Sequence, residues 1–173
     1  MLTASEFWRL SQALYAAPGV SELCLQAQDE AGAEINLLLL LALLQARGWR
    51  GSYRTLLANI SQQQPLLRQW RALRRSLKAK VAPADYQRLL EHELGLELWL
   101  QQQLLNGLLT SPAPDHHQEQ ASEMNALAGY LQQLGLTTTP LYHPLLALPA
   151  LAAALAATSQ ASEATPSAQE DPC

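Results

Sequence analysis

Valine and isoleucine are scarce in this chain, and their scarcity argues against a β-sheet, because strands draw on β-branched and aromatic residues. Cysteine is scarce as well. Cys24 lies in an apolar helical stripe and Cys173 ends a polar tail, so neither a disulfide framework nor a metal-binding spacing exists. Two such cysteines imply reduced thiols and a cytoplasmic setting. Long apolar runs are missing. The longest, residues 35–46, falls short of the ~20 residues that cross a bilayer, and residues 145–157 are Ala-rich and interrupted by Pro149. Met1 to Arg9 has no basic segment leading into an apolar run, so no signal peptide is expected. The chain also lacks a Gly-rich phosphate loop, a nucleophile elbow and a His-Glu-x-x-His zinc motif. On these grounds no catalytic residue, cofactor or metal is expected.

What remains is rich in Leu and Ala, both good helix formers, within an apolar fraction of 49%. The expected fold is all-α, an irregular multi-helix bundle. Thr3 and Glu6 have the spacing of a capping box that opens a helix with Phe7, Leu10, Ser11 and Leu14 on one face. Pro18-Gly19 ends it. Val20, Leu23, Cys24 and Ala27 form the stripe of a second helix, which Gly32 stops. Residues 35–46 are apolar all round, which predicts a helix buried all round at the centre of the bundle. Trp49 lies in a turn between Gly48 and Gly51 and is the tryptophan expected to be most exposed.

Further helices are predicted over 52–62, 65–80 and 84–109, with Gly95 a candidate kink. Another is expected from about Asp115 to Leu134, and a last one from Pro144 to Ala157. Residues 1–157 read as a single helical domain, and 158–173 as a disordered tail of Ser, Ala, Gln, Glu and Pro.

Charge is distributed unevenly. Residues 1–34 carry −4, residues 35–84 carry nine basic residues and no acid, and residues 85–173 carry −9, for a net charge of −4. The basic charge concentrates on the helix 65–80. There Leu66, Trp70, Leu73 and Leu77 are expected to face inward, and Arg68, Arg71, Arg75 and Lys78 to face out, with Arg74 and Lys80 at the margins. This basic face is the leading candidate for a partner-binding surface. An acidic protein partner or anionic lipid would fit it, and the plainer reading is a face that is solvated or partly neutralised by the acids of residues 85–97. A nucleic-acid-associated regulator using the same face is the alternative, though no aromatic platform for stacking bases accompanies the cations.

Glu93 and Glu97 fall inside the apolar arc of the helix 84–109, and buried carboxylates need partners. The Glu-x-x-His spacing of di-metal bundles is absent, so ion pairs to arginines of the preceding helix are expected. His116-His117 lies in a Pro-rich loop and reads as solvated. Asp29 and Asn36, flanking the Gly32 turn, are expected to cap helix ends, or with Gln28 to form a small polar cluster beside the central helix.

Phe7-Trp8, Leu14-Tyr15, Pro18-Gly19-Val20, Cys24-Leu25, Gln28-Asp29, Gly32 and Asn36-Leu37-Leu38-Leu39 together resemble a proteobacterial family of about this length, domain of unknown function 2390. The resemblance implies a bacterial cytoplasmic protein and supplies no activity. The leading expectation is therefore a non-enzymatic interaction or adaptor protein.

Overall fold

The computed structural model describes residues 2–110 and 125–163, with side chains through 158. Every regular element among them is helical: α1 (Ala4–Tyr15), α2 (Val20–Ala31), α3 (Ile35–Ala46), α4 (Tyr53–Asn59), α5 (Gln63–Leu77), α6 (Pro83–Thr110), α7 (Ala126–Gln133), α8 (Tyr142–Leu146) and α9 (Leu148–Glu163). A 3-10 turn, Leu136–Thr138, links α7 to α8.

The capping box at the start of α1 forms as its spacing predicts. The Thr3 hydroxyl accepts the Glu6 amide at 3.2 Å, and the Glu6 carboxylate accepts the Thr3 amide at 3.5 Å. Phe7, Leu10, Ser11 and Leu14 are the buried face of this helix. Gly32 ends α2 in the left-handed conformation, at φ 67°, which glycine adopts without steric cost.

The centre of the bundle is α3. Residues 36–44 are all buried, so the helix has no solvent face. Helices α1, α6, α7 and α9 pack around it, with α9 making the largest contact. Burying side chains such as Leu37, Leu38, Leu40 and Leu41 stabilises the fold by about 1.5–3 kcal/mol each. Cys24 is fully enclosed, and burial pushes its thiol up to about 12.

Several elements differ from the sequence expectations. Helix α4 is shorter, because Ile60 and Ser61 close it with tight i→i+3 bonds. Helix α6 runs unbroken through Gly95, where nothing crowds the backbone. Asn125 caps α7 by accepting the Leu127 and Ala128 amides; the helix start expected near Asp115 lies outside the described residues. Helix α9 continues to Glu163, past the expected end at Ala157, and the remainder of the expected tail lies outside the described residues. Trp49 is half-buried against the core, its indole over Gly51, while Trp99 is the tryptophan left exposed at 42%.

Candidate functional site

Helix α5 packs along the N-terminal half of α6, and the seam between them is built from ion pairs. Arg71 donates from Nη2 to Glu97 Oε1 at 2.8 Å, and its Nε lies 3.6 Å from Glu93 Oε1. Arg74 pairs with Glu93 through Nε and reaches the Tyr86 hydroxyl at 2.5 Å. The Glu93 pairing holds the Arg74 guanidinium above its ordinary pKa, so it stays charged throughout. Glu93 and Glu97 thus find their partners on the preceding helix, as their position in an apolar arc requires. The Trp70 indole donates to the Leu89 carbonyl at 3.2 Å and meets the His92 ring edge-on.

This seam overturns part of the expected basic face. Arg71 is 9% exposed and points inward. Leu66 and Leu73, expected inside, are exposed at 52% and 51%, and Leu67 takes the buried position instead. The reason is electrostatic. Carboxylates in the apolar arc of α6 draw Arg71 and Arg74 into the interface, and the helix turns its leucine edge outward to allow it. Arg68, Arg75 and Lys78 remain exposed and form no ion pair among the described residues.

The expected polar cluster is also rebuilt. Asn36 is buried inside α3 rather than capping it. Its Oδ1 accepts Gln101 Nε2 at 2.8 Å, and the same amide reaches Ser11 Oγ at 3.4 Å. The Ser11 hydroxyl donates to the Trp8 carbonyl at 3.0 Å. Gln28 is half-buried and Asp29 exposed on α2, and neither forms a side-chain hydrogen bond to Asn36. Asp29 sits within α2, which ends on Gly32, so it caps nothing.

Sequence reasoning passed over Glu34. It is 2% exposed at the N-cap of α3, yet its side chain caps no amide. Its backbone amide donates to the Tyr130 hydroxyl at 2.8 Å, which ties α3 to α7. Its Oε1 is buried without a hydrogen-bond partner. Burial raises the Glu34 carboxyl above the ordinary range, against the attraction of Arg71. The available signal was an acid at the mouth of a helix with no polar surface to lie on.

Ion-pair seam and amide network meet at a cleft of about 140 Å3 where α1, α3, α5 and α6 converge. Trp8 and Tyr15 line one side, and Asn36, Arg71, Glu97 and Gln101 the other. Among the described residues, no group of three or more His, Cys, Asp or Glu is placed to hold a metal ion, and no helix is long and apolar enough to cross a membrane.

Fold and cleft define an all-helical protein with a polar pocket at the root of a helical hairpin. The chain belongs to the family described as Protein of unknown function (DUF2390), which it matches over residues 6–104. That segment contains the whole α5 seam and every residue named around the cleft. No curated protein and no solved structure matches the chain.

Proposed function

We propose that this protein is a non-enzymatic interaction module and that its contact surface is the outer face of α5. The partner would be a protein segment, acidic on one side and apolar on the other. The observation that carries this reading is the exposure of Leu66 and Leu73 beside unpaired cations. Helical spacing sets these two leucines along one edge of the outer face and Arg68 and Arg75 along the other, with exposed Lys78 at the C-terminal end of the helix. Exposed Ala72 and Ser76 lie between the two edges, where small side chains let a second helix approach closely. An amphipathic acidic helix matches both edges at once. With Arg71 and Arg74 committed to Glu93 and Glu97, too few outward cations remain to favour a phosphate backbone over such a partner.

Two variants test the reading separately: the triple charge reversal Arg68→Glu, Arg75→Glu, Lys78→Glu, and the pair Leu66→Ser, Leu73→Ser. All five positions are exposed, so thermal melts of both variants should match that of the parent. Affinity capture from the native host should yield a protein that is lost with either variant and whose binding segment is acidic. Retained nucleic acid with a steep salt dependence would favour the nucleic-acid reading instead. A partner indifferent to both variants would overturn the assignment of this face.

A further inference from the structure

The cleft beside Asn36 holds more than its structural role needs. Two charged side chains line it, Arg71 and Glu97, paired with each other at 2.8 Å. Among the groups lining it, Glu97 is the more open charge, its side chain 29% exposed against 10% for Arg71. The Gln101 amide spends its N–H groups on Asn36 and Ser11, which leaves its carbonyl as the remaining polar end. Trp8 and Tyr15 lie seven residues apart, on one face of α1, and both line the opening.

Acceptors and aromatic faces are the surroundings that bind a positively charged group. The rings attract it through their quadrupoles, and the carboxylate supplies the counter-charge. An anion would meet the more open Glu97 carboxylate and an Arg71 already engaged by Glu93 and Glu97. At about 140 Å3 the cleft is well below the ~300–1,000 Å3 of pockets for drug-sized ligands, so its occupant is a head group of few heavy atoms.

We propose that this cleft binds a small hydrogen-bond-donating organic cation, an ammonium or guanidinium group, between the Trp8 and Tyr15 rings with Glu97 as counter-ion. The group can come from a free amine or from a basic side chain of a peptide. The site is separate from the outer face of α5, and its test stands apart from the partner variants above.

The test is a titration of the 15N-labelled full chain with n-butylammonium and guanidinium ions, followed at the Trp8 indole and Gln101 side-chain amide resonances. 1-Butanol and acetate serve as neutral and anionic controls. The expected result is saturable movement of both resonances with either cation and none with the controls. Glu97→Gln should weaken binding at least tenfold. Trp8→Leu, which leaves the ion-pair seam intact, should weaken it by about threefold or more and decides the matter if Glu97→Gln fails to fold. The amide of Nα-acetyl-lysine separates the sources: binding as tight as butylammonium assigns a peptide side chain, and binding by butylammonium alone assigns a free amine. Equal response to butanol and butylammonium, no response to either cation, or cation binding unchanged in the folded variants overturns the proposal.

Discussion

At the residue scale, the two charged positions that decide most are Arg71 and Glu34. Arg71 is the shared cation of the α5–α6 seam, so removing it leaves Glu97 without its partner in a half-buried site, while Glu93 keeps Arg74. Breaking one side of a buried pair costs about 3–5 kcal/mol, and the partial exposure of Glu97 sets the lower end of that range for Arg71→Met. Urea denaturation should show the single loss, and the double variant Arg71→Met, Glu97→Leu should recover most of it.

Glu34 acts in the opposite sense. Its carboxyl is raised in the folded protein, so between its ordinary pKa and the raised value the folded state holds a proton that the unfolded state has lost. Stability therefore falls as pH rises through that window and levels off above it. Glu34→Gln should remove this slope and raise stability at neutral pH, read as the difference between the two denaturation-midpoint profiles against pH.

At the element scale, two helical glycines make opposite predictions. A Cβ on Gly95 meets nothing, so Gly95→Ala in α6 should stabilise by about 1 kcal/mol through helix propensity alone. A Cβ on Gly129 in α7 would sit 2.9 Å from the Tyr53 ring, which is itself packed on Tyr130 at a centroid distance of 5.9 Å. Gly129→Ala should therefore destabilise despite the same gain in propensity, with the two melting temperatures moving in opposite directions. The elements themselves were largely legible in the sequence, because capping residues, glycine stops and the all-apolar run at 35–46 are local signals. The orientation of α5 was not. Helical amphipathicity counts arginine as outward, yet the acids inside the arc of α6 demanded partners that only α5 had to give. The two inferences were in conflict, and the carboxylates prevailed because an unpaired buried charge costs more than two exposed leucines. The polar network was illegible for a different reason: Asn36 meets Gln101 across 65 positions of chain, and no local pattern announces such a pair.

At the scale of the whole molecule, the bundle depends on elements beyond the family-matched segment. Helix α9 is the largest neighbour of α3, and Tyr130 of α7 holds the Glu34 amide. A chain ending at Thr110 would leave one side of α3 bare. Such a fragment should aggregate or bind a hydrophobic dye strongly, whereas a soluble, cooperatively melting fragment would mean that α3 needs fewer neighbours than it has. The hairpin and the cleft share Arg71 but face different ways, so a change on the outer edge of α5 should leave the pocket's chemistry intact.

The enclosure of Cys24 gives the molecule a built-in clock. A maleimide reagent cannot reach that sulfur until the surrounding helices part, so with Cys173 replaced by serine the rate of alkylation measures how often the interior breathes open. Any substitution above that loosens the interior should quicken that clock before it changes the far-ultraviolet spectrum.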